Sequence, residues 1–471
     1  VTLQALSSND PAIAVGRFGL GARPGELTAA SARPRAWLKA QITPAGADQP
    51  AGSLPSSRDG FAAYLAFAAE ARRLRQRVSG QQASGADDSA DQFKAERQKA
   101  REPLRQAVLA DILARARLAA ATPAPFRERW ALFWANHFTV STNKPQAATL
   151  AGPFEREAIR PHVFGRFEDL LVASSTHPGM MLYLDQARST GPNSLAGRRR
   201  EAGLNENLAR EIMELHTVGP DAGYTQADVT EFARALTGYS VGVERDGPEA
   251  VGAFIYRPNL HEPGARTIMG RRYSQNGEAQ ARAILASLSD DPHTADHLAR
   301  KLAVHFVADD PPPRLVERLR GAFRESRGDL AVVAAALIDS PDAWGTEPRK
   351  FKRPYEFLIS SYRALGALPA SAPEVAAPLT QLGERPFAAP QPNGWSEQIG
   401  DWAAPDAIVK RLDWASRFAA ARAPDGAAPA DLAESALGAR LTPATRLAVA
   451  RAETRPEALT LLLMSPEFLY R

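Results

Sequence analysis

Glu211 and Glu214 stand one helical turn apart in the stretch Asn205-Glu206-Asn207-Leu208-Ala209-Arg210-Glu211-Ile212-Met213-Glu214-Leu215-His216. Leu208, Ile212 and Leu215 form an apolar stripe at helical spacing, with Asn207, Arg210, Glu211 and Glu214 as a polar stripe beside it. Two carboxylates and a guanidinium projecting together can divide the work of a general acid and a general base, their pKa values pushed apart by burial and by Arg210. The same residues also suit a solvated face, because Glu206–Arg210 and Arg210–Glu214 have i,i+4 ion-pair spacing. The stretch is neither an HExxH zinc motif nor the Glu-x-x-His of di-iron bundles, since His216 lies two residues after Glu214.

Other groups of the right chemistry lie elsewhere. At 100° per residue, Phe126, Trp130, Phe133, Trp134 and His137 share one helix face, with Asn136 off it. An imidazole among rings is desolvated and held as a neutral base, or is a core histidine with one hydrogen bond. Asp185 follows the apolar turn Met181-Leu182-Tyr183-Leu184 and precedes a Gly/Pro/Ser loop, as a carboxylate at a pocket rim or a staple for backbone N–H groups. His261 lies on the Pro/Gly turn Arg257–Gly264, where rigidly held loops tend to carry function. In the Pro-rich loop over residues 386–405, Asn393, Trp395 and Trp402 place aromatics where a sugar face could stack or a core be capped. The catalytic candidates are therefore His137, Asp185, Glu211, Glu214 and His261. Trp134, Asn207, Arg210, Asn393, Trp395 and Trp402 form the substrate-binding set. Tyr224–Val229 echoes a calcium loop but lacks its ligands, and Thr225 at N-cap with Asp228 at N3 explains it as a helix start. Lys301 and His305, at i,i+4, read as packing.

The elements that must position these groups are helical. Ala, Leu, Arg and Glu recur at a 3.6-residue period, which predicts an all-α fold: one large multi-helix assembly over residues 1–471, able to close into a toroid-like ring. Helices are expected over 9–17, 27–41, 60–78, 92–121 and 126–138, and repeatedly to the end. Residues 79–92 read as a flexible loop in a helical hairpin, 187–203 as a mobile basic loop containing Arg198-Arg199-Arg200, and 239–273 as a β-hairpin insertion.

Composition narrows the chemistry. The chain has no Cys, which removes disulfides, thiolate ligands and cysteine nucleophiles and leaves carboxylates and 8 His as reactive groups. A net charge of +4 over 471 residues is no basic field, and basic–aromatic interleaving is missing, so no nucleic-acid partner is expected. No Gly-x-Ser-x-Gly elbow, P-loop or dinucleotide fingerprint occurs. No apolar run approaches the ~18 residues of a membrane span. No export signal is visible, and a start at Val1 is compatible with one having been removed, which leaves periplasm and cytoplasm both open.

Several stretches together resemble a bacterial family of unknown function, DUF1800. They are Arg17-Phe18-Gly19-Leu20-Gly21, Phe133–Phe138, Asn205–Gly219, Tyr224-Thr225-x-x-Asp228-Val229 through Ala233–Tyr239, Asn259–Gly264, Lys301-Leu302-Ala303 and Pro392-Asn393-Gly394-Trp395. The resemblance is collinear over nearly the whole chain. The family pattern often has Asp at Glu262, Lys at Arg266 and Trp at Tyr239, which bears on any role needing a short carboxylate or an ammonium there. It implies a periplasmic or secreted setting and a sulfatase/phosphatase-like protein partner, and supplies no cofactor and no catalytic residues. The expected activity is that of an acid/base hydrolase or lyase acting on a polar polymer such as a glycan. The alternatives are a non-catalytic binding or assembly partner of the sulfatase/phosphatase-like protein, and a carboxylate/His metal-binding protein. Convergence of the five catalytic candidates on one cleft would favour the enzyme.

Overall fold

The computed structural model describes residues 9–82, 89–199, 203–347, 349–422 and 427–471. Helix accounts for 64% of the chain, and among the described residues the strands form two small antiparallel pairs. The α-helices run from four to 33 residues. No helix among the described residues is long and apolar enough to cross a membrane.

Local chemistry explains where the elements differ from expectation. The helix expected over 27–41 is two, Glu26–Ser31 and Pro34–Lys39, because Pro34 lacks an N–H and restricts Arg33 before it. The helix at the start of the described chain runs Asp10–Ile13 and widens into a π turn, Ala14–Phe18. Helices Ser57–Gln82 and Ser89–Ala121 reach into the expected 79–92 loop from both sides, and its remaining residues, 83–88, lie outside the described residues. The 239–273 insertion holds two hairpins in place of one. Strand β1 (Tyr239–Val241) pairs with β2 (Phe254–Tyr256), Tyr239 opposite Tyr256, and β3 (Arg266–Ile268) pairs with β4 (Arg271–Tyr273). The second hairpin turns through Met269 and Gly270, both at positive φ (47° and 76°), a geometry in which Met is an unusual occupant. The expected basic loop is tied down over its described part: Gly191 N–H donates to Leu260 O (2.9 Å), and the Glu262 carboxylate accepts from Asn193 N (2.7 Å) and Nδ2 (2.6 Å). Gly191 has no room for a side chain, since a Cβ there would stand 2.7 Å from Glu262 Cα. Arg200 lies outside the described residues.

The helices gather round two adjoining cores. Phe18, Phe126, Trp130, Trp134, Phe167 and Phe306 belong to the first, and Leu20, Leu132, Phe357, Trp414 and Leu459 to the second. The helix Pro125–His137 serves both, and this explains why it is apolar nearly all round. Its start is buried, yet Pro125 has no donor to satisfy and Phe126 N–H donates to Gln41 Oε1 (2.8 Å).

Buried ion pairs stitch the cores together. Glu356, on the helix Pro354–Ala364, receives Arg129 Nη1 (2.6 Å) and Arg471 Nε (3.0 Å), while Arg129 Nε also donates to Gly19 O (2.5 Å). Arg471 reaches on to His305 O (2.8 Å). Arg363, on the same helix as Glu356, donates to Gly21 O (2.8 Å) and Ala119 O (2.9 Å) and grips both oxygens of Glu26 (2.8 and 2.7 Å). Burial alone would raise the Glu356 pKa, but Arg129 and Arg471 more than offset it and hold the carboxyl well below the usual range. Glu356→Gln should cost about 3–5 kcal/mol at neutral pH, because two guanidiniums lose their buried counter-charge. A depressed folded pKa stabilises above the unfolded value of about 4.3 and ceases to do so as pH falls through the folded value. Denaturant unfolding at pH 7 and pH 3 should therefore show the gap between wild type and variant narrowing in acid; an unchanged gap would count against the clamp.

Candidate functional site

The helix Asn207–Glu211 continues as a π turn, Ile212–His216, and its two sides have different surroundings. Leu208, Ala209, Ile212, Met213 and His216 are buried, whereas Glu211 and Glu214 are half-buried. Two tyrosines stand by the carboxylates. Burial, followed by the charge of Glu211, pushes Tyr183 up to about 12. Burial, followed by the charge of Glu214, raises the Tyr224 pKa. Burial and the neighbouring charge of Glu214 also raise Glu211, with Arg210 partly offsetting them. Glu211 therefore keeps its proton to higher pH than a free glutamate, with a second carboxylate beside it.

Arg210 has another partner. It donates to Glu206 Oε2 (3.1 Å) and Gln226 Oε1 (2.9 Å), joining its helix to Gln226–Leu236. That second helix opens with the expected capping box, Thr225 N–H donating to Asp228 Oδ2 (2.7 Å) and Asp228 N–H to Thr225 Oγ1 (3.3 Å). Asn207 is exposed, and its backbone N–H donates to Asn205 Oδ1 (2.9 Å).

His137 and Trp134, expected as catalytic and substrate-binding residues, lie on the buried side of the glutamate helix. His137 Nε2 faces His216 O at 3.2 Å, and a carbonyl only accepts, so Nε2 carries the proton. Burial, and after it Lys301 nearby, lowers the His137 pKa well below 6.5 and keeps the ring neutral. Trp134 is 0% exposed, packed against Trp130, Phe133, His137 and Phe167, and has no face left for a substrate. Lys301, read from the sequence as packing, is electrostatically coupled to His137, His216 and His297, and burial pushes it down to about 8.

The remaining candidates are dispersed. Asp185, in a left-handed conformation (φ 59°), binds Lys144 Nζ (2.5 Å) and Gln146 Nε2 (3.1 Å), so it staples a loop. His261 Nδ1 donates to Thr237 O (2.9 Å), which leaves Nε2 as the basic nitrogen, and burial lowers its pKa. Its neighbours are Tyr256 and the Glu262–Asn193 contact, and the structure records no contact between it and the glutamate pair. Trp402, expected to stack on substrate, is buried in the second core with Nε1 donating to Ser396 O (2.9 Å). Trp395, half-buried 6.0 Å from Trp402, lines a cavity of only about 60 Å³, and Asn393 is exposed. Among the described residues no hydrogen bond, ion pair or ring contact joins His137, Asp185 or His261 to Glu211 or Glu214. Glu211 and Glu214 remain together, joined by Tyr183 and Tyr224, to which the sequence reading gave no role. Tyr224 sits just before a capping box and Tyr183 two residues before Asp185, positions legible in sequence without any hint of what they face. Among the described residues no three His, Asp or Glu side chains are grouped to hold a metal ion.

A family model described as "Protein of unknown function (DUF1800)" matches residues 13–470, and the chain belongs to that family. No curated protein and no solved structure matches it.

The Asn393–Trp395 loop hangs on Asn136, whose side-chain amide pairs like a strand: Nδ2 donates to Trp395 O (3.0 Å) and Trp395 N–H to Oδ1 (2.8 Å). Gly394 between them has φ 81°, and a Cβ there would run into the Asn136 carbonyl. Asn136→Ala should destabilise the chain by about 1–3 kcal/mol by stripping both partners from a buried turn. It should also make Trp395 more accessible to acrylamide, measured by fluorescence quenching; unchanged quenching and stability would show that the clasp is idle.

Proposed function

We propose that this member of the DUF1800 family is an acid/base hydrolase or lyase of the bacterial envelope, acting on a polar polymer such as a glycan through Glu211 and Glu214. One observation carries the reading: two half-buried carboxylates on one helix turn, Glu211 raised by burial and by the charge of Glu214, flanked by Tyr183 and Tyr224. Glu211, with its raised pKa, is the proton donor to the leaving oxygen. Glu214, beside Tyr224, is the base. Both project from one helix turn and therefore meet a bound chain from the same side. That favours removing and returning a proton on one face, as a syn elimination does; an inverting displacement needs its two carboxylates on opposite faces. In an elimination Glu214 takes a carbon-bound proton, a C=C bond forms as the C–O bond to the leaving group breaks, and Glu211 protonates the departing oxygen.

A second reading, a non-catalytic partner of a sulfatase/phosphatase-like protein, is favoured by Val409 and Leu412, which are 65% and 48% exposed one turn apart on the helix Pro405–Arg422. A panel of neutral and acidic glycans separates the two, read by new reducing ends and by the ultraviolet absorbance of unsaturated products. Glu211→Gln and Glu214→Gln should each lower turnover about 10²–10⁴-fold. Wild-type turnover should fall as pH rises through the raised pKa of Glu211, because the acid form is lost. No turnover on any glycan, or full turnover in both variants, would overturn the enzyme reading.

A further inference from the structure

Alongside β1 lies a cavity of about 620 Å³, bordered by residues 187–199, the β1–β2 hairpin and Phe61. Small-molecule sites occupy about 300–1,000 Å³, so its size is that of a binding site. The lining changes character with depth. Phe61 and Val241 are buried and Leu182 and Leu260 half-buried, giving an apolar wall, and the buried Thr190 and Ser240 add hydroxyls to the lining. Arg199 and Arg245, by contrast, line the cavity from exposed positions, and Arg257 is half-buried. Arg257 is committed to Asp246, with Nη1 and Nη2 at 3.0 and 2.7 Å from the carboxylate oxygens. Among the described residues no salt bridge joins Arg199 or Arg245 to a carboxylate. Leu195, 68% exposed, also lines the cavity and extends its apolar surface outward.

Two exposed guanidiniums next to a partly apolar hollow complement a particular ligand chemistry. Guanidinium forks hold carboxylates through paired, charge-assisted hydrogen bonds, and an alkyl body gains by leaving water for the Val241–Leu260 interior. We propose that this cavity binds a small amphiphilic carboxylate, its head at Arg199 and Arg245 and its apolar body against Val241 and Leu260. The site shares no residue with the Glu211–Glu214 pair and does not rest on the activity proposed for it.

Calorimetric titration of the whole chain with octanoate, octanol and acetate tests the assignment. Octanoate should bind saturably, one per chain, and at least about tenfold more tightly than octanol, which lacks the charge, or acetate, which lacks the body. The Arg199→Gln/Arg245→Gln double variant, altered at two exposed side chains and checked for folding by circular dichroism, should lose about tenfold in octanoate affinity and nothing in octanol affinity. Absence of saturable octanoate binding, equal binding of octanol and octanoate, or unchanged octanoate affinity in the double variant would each overturn the proposal.

Discussion

One carboxylate between two guanidiniums sets the register of this protein. Glu356 is 227 residues from Arg129 and 115 from Arg471, and all three side chains are buried. A charge in that position is tolerable only while both partners are in place, so the contact admits one arrangement of the elements that carry them. Arg129 fixes the rotation of the helix Pro125–His137, with Trp134 turned into the first core and Leu132 into the second. Rotation fixed in that way brings His137 against His216 O, and the other side of that turn presents Glu211 and Glu214. The geometry of the carboxylate pair is thus inherited from a salt bridge that never touches it.

The three π turns follow a related logic. Ala14–Phe18, Glu155–Ile159 and Ile212–His216 each place a polar side chain inside: Arg17 donates to Ala343 O (2.7 Å), Glu155 binds Arg160 (2.6 Å), and His216 is buried beside Phe138. Widening a turn frees carbonyls from the regular ladder for other donors. At Ile212 the freed carbonyl accepts from Thr217 Oγ1 (2.6 Å). The widening also re-aims Glu214 relative to Glu211, so a strict 3.6-residue wheel only approximates how the pair is displayed.

Much of the fold was legible because it follows from local chemistry. The helical period, the Thr225–Asp228 capping box and the pairing of β1 with β2 each reflect residues close in sequence. The Pro34 break was equally local and was overlooked, and the Met269-Gly270 turn escaped because its residues are not those the turn prefers. The candidate site was less legible. Glu211 and Glu214 could be placed on one stripe from spacing, but whether His137 faces a cleft or a carbonyl is decided by elements distant in the chain. Trp134 and Trp402 have the same difficulty, since an aromatic on a helix face or in a Pro-rich loop looks alike whether it meets ligand or core. Tyr183 and Tyr224 reach the glutamates only through tertiary packing, which leaves no periodic trace.

The grip of Arg363 on Gly21, Glu26 and Ala119 has a consequence for synthesis. The first 120 or so residues of the described chain are captive to a side chain that leaves the ribosome more than 200 residues later. Contacts this far apart close slowly and reward the chain only once the intervening helices exist. During translation the aromatic surface around Phe126 and Trp130 therefore emerges well before its cover, an interval in which a holding chaperone would find its substrate.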